Sequence, residues 1–200
     1  MDRRVDIVSF PTIWAEMLNE NKFSMSRVYQ CLLQDNPLVE WRHLLCHNIA
    51  RPRAKMLLWL VCQGRVATKE RLHKMGMIQH MNCELCGFPT ENLEHCMFKC
   101  KYAISIWSII LQWVQIIVPS SIDLNWIMKY THSIGWKHGF FKAVVAETLY
   151  AIWTQRNKVT FDKDSYTLDI DRNTKSIIDA LVYRGWMHSK YREKIASLLM

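Results

Sequence analysis

The residues with the most chemistry in this chain lie between positions 83 and 100, which read CELCGFPTENLEHCMFKC. Cys83, Cys86, His95 and Cys100 form the pattern C-x2-C-x8-H-x4-C. Three thiolates and one imidazole complete a tetrahedral Zn2+ shell, and a two-residue gap is the usual spacing for a first cysteine pair. Four protein ligands leave no position for a reacting water, so the set predicts a structural zinc and not a catalytic one. Gly87 follows the first pair, where backbone amides often turn toward metal-bound thiolates. Two other readings of the same spacing are a metal-free segment and a disulfide pair. Cys31, Cys46 and Cys62 stand singly among apolar residues and are expected in the core as small hydrophobes. Cys96 faces away from His95 along a helix and reads as packing, and His80 is a spare ligand candidate.

Other site chemistry finds little footing. A zinc deaminase needs H-x-E followed by P-C-x-x-C, whereas here C-x-x-C comes first and no H-x-E exists. No Gly-rich phosphate loop is present. Asp162, Asp164, Asp169 and Asp171 read as a solvated acidic loop after a long helix. No enzyme is expected.

The elements that must position the ligands are helical. Half of the 200 residues are hydrophobic, while Gly and Pro number only 6 and 5. So few turn residues argue against a sandwich or barrel. A helix with Ser24 as N-cap carries Met25, Val28 and Leu32 on one face, and Pro37 ends it. A short helix surrounds Trp41, Leu44 and Leu45. The next, Arg53 to Gln63, starts on Pro52 and is apolar around much of its girth, so it is expected at the centre of a bundle. Thr68 caps a short basic helix that ends at Gly76. Thr90 caps the helix bearing His95, and Cys100 lies just past it. Ala103 to Pro119 reads as a buried helix, not a membrane span, because Ser105, Ser108, Gln112 and Gln115 interrupt it.

Ser121 or Asp123 opens a further short helix. A long one runs from about Trp136 to Phe161, with Phe141, Val144, Val145, Thr148 and Ile152 on one face. Asp169 caps the last, through Leu181, before a charged tail. The expected fold is mainly α: a small helical bundle with a zinc-stapled loop, then a helical C-terminal extension. The divisions are 1–22 (lead-in), 23–118 (zinc domain) and 119–200 (extension).

The net charge is +8. Between Arg51 and Lys101 nine Lys/Arg face four acids, so most of the excess surrounds the cysteine–histidine set. Such a surface suits phosphate contacts, which supply affinity without sequence preference. Arg65, Lys69, Arg71, Lys74, Lys99 and Lys101 are the candidate contacts, with Tyr102 and Trp107 as stacking candidates that also fit the core. The N-terminal MDRRVDIVSFPTIW has no sustained apolar stretch, so no secretory signal is expected. Free thiols point to the nucleus or cytoplasm, with no membrane partner.

The order of segments resembles the zinc-binding domain that follows the reverse transcriptase in plant LINE-type (non-LTR) retrotransposons. The carrying residues are FSMSRVYQCL (23–32), Trp41, Leu45, RPRAKMLLWLVCQGRVATKERLHKMGM (51–77) and CELCGFPTENLEHCMFKCKYAISIW (83–107). VVAETLYAIWTQRNKVTF (144–161) is similar to the segment that follows this domain. The family's ligands fall on Cys83, Cys86, His95 and Cys100. Ala50-Arg51-Pro52 stands where a P-P-K-like turn is common, and Met56-Leu57-Leu58 where a phenylalanine is common. The polymerase aspartate pair is absent, and an RNase H-like domain is not expected. The resemblance implies a non-catalytic module gripping RNA or single-stranded DNA beside a reverse transcriptase. The alternative is a zinc-stabilised protein-interaction or scaffold module that binds no nucleic acid.

Overall fold

A computed structural model describes residues 39–161 and 168–199. The helix expected from Ser24, with Cys31, and the acids Asp162 and Asp164 lie outside the described residues. Among the described residues the structure is helical, with no strand. In chain order the elements are α1 (Arg42–Leu45), α2 (Pro52–Cys62), α3 (Lys69–Lys74), a π-helical turn (His95–Lys99), α4 (Lys101–Trp113), α5 (Leu124–His132), α6 (Trp136–Phe161), α7 (Ile170–Met187) and α8 (Ser189–Leu198).

The capping signals sit where the helices start. Asp123 Oδ1 accepts from the Trp126 amide at 2.7 Å, and Asp169 Oδ1 from the Arg172 amide at 2.8 Å. Each satisfies an amide that the first turn leaves unpaired. Thr68 Oγ1 takes the same role for Arg71 at the longer distance of 3.4 Å. Pro52 is the first residue of α2, where its missing N–H costs nothing.

The centre of the bundle is α6, not α2. Residues 143–149 of α6 are buried without a break, and α2, α4, α5, α7, α8 and the π turn all pack on it. The face expected from Phe141, Val144, Val145, Thr148 and Ile152 is buried, but so are Phe140, Ala143, Ala146, Glu147 and Leu149 on the other sides. On α2, Met56 is 54 % exposed while Ala54, Leu57, Leu58 and Val61 are buried, so this helix covers α6 with one face only.

The helix expected to reach Pro119 stops at Trp113. Gln115 takes a left-handed φ of 57°, and Ile117 beyond it is 92 % exposed. The charged tail is α8, whose Tyr191 and Ile195 are buried. Ile195 meets α7 at Gly185, where a Cβ would lie 2.5 Å from Ile195 Cγ1. No helix among the described residues is long and apolar enough to cross a membrane.

Two polar clamps reach α6 from the N-terminal side. Asn48 Nδ2 donates to the Leu44 carbonyl at 2.9 Å and to the Lys142 carbonyl at 2.8 Å. Glu147, fully buried, accepts from the Arg51 backbone amide and Nε, both at 2.7 Å, and from Nη2 at 2.6 Å. Arg51, one of the residues by which this chain departs from the P-P-K-like turn, thus holds the entry to α2 against the long helix.

Candidate metal centre

The loop before the π turn is closed by its own backbone. The Glu91 amide donates to the Met81 carbonyl at 2.7 Å, Cys83 N to Phe88 O at 2.8 Å and Gly87 N to Cys83 O at 2.8 Å. Gly87 has a φ of 74°, a conformation costly for a residue with a Cβ, which lets the chain double back straight after Cys86. Its amide goes to the Cys83 carbonyl and not to sulfur. The amides that face the Cys83 sulfur are those of Leu85 and Cys86.

His95 opens the π turn. Its amide is taken by Asn92 Oδ1 at 2.8 Å, so Asn92 does the capping expected of Thr90. The turn closes with Cys100 N donating to His95 O at 2.7 Å, five residues apart. In an α-helix five residues on is about 140° around the axis, which would aim His95 and Cys100 apart. The wider π turn brings them to one side. Cys100 then leaves the turn with an extended ψ of 137° and stands at the N-cap of α4.

Cys83, Cys86, His95 and Cys100 converge, with their four ligand atoms all within 4.8 Å of one another. Cys83 Sγ lies 3.9 Å from Cys100 Sγ, and Cys86 Sγ 3.3 Å from His95 Nε2. Tetrahedral Zn–S bonds of about 2.3 Å place two sulfurs roughly 3.8 Å apart. The two close pairs stand near that spacing, and no pair of the four is wider than 4.8 Å. A disulfide needs sulfurs about 2.05 Å apart, and all the described cysteines are free thiols.

The donor set fits zinc chemically. Burial holds His95 below its ordinary pKa, so its ring is neutral and can offer a lone pair. Cys100 is held below the ordinary thiol value, first by the Cys83 thiol donating to it and further by the Tyr102 and Ala103 amides at the start of α4. Cys83 is pushed up, mainly by sharing that proton and then by burial. Cys100 is therefore the easier thiol of the pair to ionise, and a cation binding there would displace the proton the two share.

The surrounding residues fix the loop to the bundle. Phe88 lies nearly parallel to the His95 ring, with centroids 4.7 Å apart and planes 16° apart. Glu91, at the end of the loop, is fully buried. Its Oε1 accepts from Arg156 Nη2 at 2.6 Å, Arg156 Nε at 3.1 Å and the Lys69 amide at 3.0 Å. Arg156 also donates to Asn157 Oδ1 at 2.9 Å and stacks 4.9 Å from the Trp153 ring. Sequence reading missed Glu91, Arg156, Asn92 and Phe88. The available signal was local for Asn92, a good cap three residues before His95. For Glu91 and Arg156, 65 residues apart, no local signal existed.

Among the other candidates, Cys96 is fully buried and outside the ligand cluster, as packing requires. His80 is exposed and not part of the cluster. Cys62 is half-buried, with burial pushing its thiol up to about 12. Cys46 is exposed, contrary to the core expectation. Tyr102 and Trp107 are core residues and not stacking platforms. Tyr102 Oη accepts from Asn173 Nδ2 at 2.6 Å, and Trp107 Nε1 donates to the Met97 carbonyl at 2.9 Å.

Arg65, Arg71, Lys74, Lys99 and Lys101 are exposed. Arg71 Nη1 donates to the Gly64 carbonyl at 3.1 Å, Lys74 pairs with Glu70 at 2.7 Å and Lys99 with Glu94 at 2.6 Å. Lys69 differs. It is buried, and its ammonium pairs with Glu84 between the two ligand cysteines. The cation expected among the phosphate contacts instead ties α3 to the ligand loop.

Residues 23–107 match the family described as zinc-binding in reverse transcriptase. The match ends inside α4 and contains all four converging residues. No curated protein and no solved structure matches the chain.

Proposed function

We propose that this chain is a non-catalytic module that binds one structural Zn2+ through Cys83, Cys86, His95 and Cys100 and grips RNA or single-stranded DNA with the basic surface beside it. The observation that carries the reading is the convergence of those four ligand atoms inside a segment matched to a reverse-transcriptase zinc-binding family. Zinc supplies a cross-link there, joining the loop, the π turn and the start of α4. Four protein ligands fill a tetrahedral shell and leave no place for a reacting water. Arg65, Arg71, Lys74, Lys99 and Lys101 are the phosphate contacts, and Lys69, spent on Glu84, is not among them. The origin we infer is a plant LINE-type retrotransposon. Its place is the nucleus or cytoplasm, where thiols stay reduced.

The test is binding to labelled RNA and single-stranded DNA across a salt series, for wild type and for Arg71→Ala with Lys74→Ala. Each lost phosphate contact lowers the salt slope by about one and weakens all sequences alike, so the double variant should lose about two. An unchanged slope refutes the placement of these contacts. A second reading, a protein-interaction module, is favoured by Tyr183, Trp186 and Met187, exposed on α7 at a spacing that shares one face. Salt-insensitive capture of a protein with no nucleic-acid binding would decide for it.

A further inference from the structure

Beside the ligand cluster is an open groove of about 570 Å³, lined in part by Phe88, Asn92, Glu94, His95, Lys99 and Lys101. Its size falls in the range of clefts that hold small ligands. Phe88 is the unusual member. One face of its ring lies on His95, yet the side chain is 53 % exposed. A phenyl ring held flat by a buried imidazole cannot turn into the core, so its other face stays toward solvent. Two cations, Lys99 and Lys101, share the groove. Asn92 Oδ1 accepts from the His95 amide, which leaves its Nδ2 as a donor there. Glu94 is the opposing charge, and it is already paired with Lys99 at 2.6 Å. Both partners of that pair are more than half exposed, so exchanging the carboxylate for a phosphate costs little.

We propose that Phe88 is the stacking platform for one unpaired nucleobase, with Lys99 and Lys101 on the flanking phosphates. The proposal rests on the nucleic-acid reading above and assigns its base-contacting residue. An exposed aromatic face that shares a groove with cations is the arrangement that holds single strands without reading sequence, because every base has a π-face. Base pairs in a duplex keep their faces covered, so the groove selects single strands over duplex. An acidic peptide would use the same lysines but gain nothing from the ring.

The experiment uses the full zinc-loaded chain with a labelled oligodeoxythymidylate, an abasic strand of equal length and a duplex. Wild type should bind the thymidylate more tightly than the abasic strand. Phe88→Leu, which still covers His95, should lose about 5- to 100-fold on the thymidylate and nothing on the abasic strand. Phe88→Tyr should bind as wild type does. Lys99→Ala with Lys101→Ala should lower the salt slope by about two on both strands. Zinc content, measured for every variant, confirms that the leucine variant keeps its metal. Equal loss on both strands, or no loss for Phe88→Leu, overturns the stacking role while the phosphate reading stands. Absence of any single-strand binding by wild type overturns both.

Discussion

The pair Glu91–Arg156 tests whether the ligand loop and the long helix form one folding unit. Glu91 is 0 % exposed and Arg156 2 %, so neither charge can turn to water if the other is removed. Arg156→Met leaves the Glu91 carboxylate with only the Lys69 amide, among the described residues, donating to it. Breaking a buried pair by deleting one member costs about 3–5 kcal/mol, because an uncompensated charge stays inside. In a chain of this size about 1 kcal/mol moves Tm by roughly 2–4 °C, so the expected fall is about 6–20 °C. Glu91→Leu should lie at the lower end. Its stranded guanidinium keeps Asn157 Oδ1 and the Trp153 ring. The double variant should be more stable than either single one, since two apolar groups replace two charges. Urea unfolding of the zinc-loaded chain, followed by circular dichroism, gives all four free energies. Single losses below about 1 kcal/mol, or strictly additive ones, would show that the pair does not join loop and helix as described.

Metal analysis of the purified chain should give one zinc, lost in Cys86→Ser and kept in Cys96→Ala, because Cys96 packs in the core and lies outside the cluster. Protease digestion of Cys86→Ser should cut within 82–100 and spare the helices, since metal binding and loop folding are coupled. Asn92→Ala removes the 2.8 Å cap on the His95 amide and should cost about 1 kcal/mol, with weaker zinc retention against a chelator. Apo-chain stability should fall as pH drops through about 6.5. Folded His95 has the lower pKa, so the unfolded chain binds the extra proton. It should fall again as pH rises above about 9, because burial holds Cys62 up to about 12. The unfolded chain alone then ionises that thiol. Cys96 is likewise pushed up by burial, so Cys62→Ala with Cys96→Ala should flatten the alkaline limb of a pH series of urea midpoints.

The sequence by itself determined what short-range chemistry decides. A pair of cysteines with two residues between them, a glycine free to turn the chain back, and Asp123 and Asp169 each opposite an amide three residues on are local devices. Their geometry follows from the backbone within one turn, so the four converging residues and most helix starts could be named from residue type and spacing. Tertiary structure decided the rest. His95 and Cys100 are five positions apart, a separation that converges on a π turn and diverges on an α turn, and the choice is made where the turn packs on α4 and α6. Met56 on α2 and Glu147 on α6 show that girth hydrophobicity does not rank helices by depth: a methionine lies outside, and a carboxylate lies inside because Arg51 reaches it. Lys69 reads as a surface cation until Glu84 is folded beside it. Glu91 and Arg156 meet across 65 residues, and a charge's desolvation depends on what surrounds it in space, which no neighbour in sequence records.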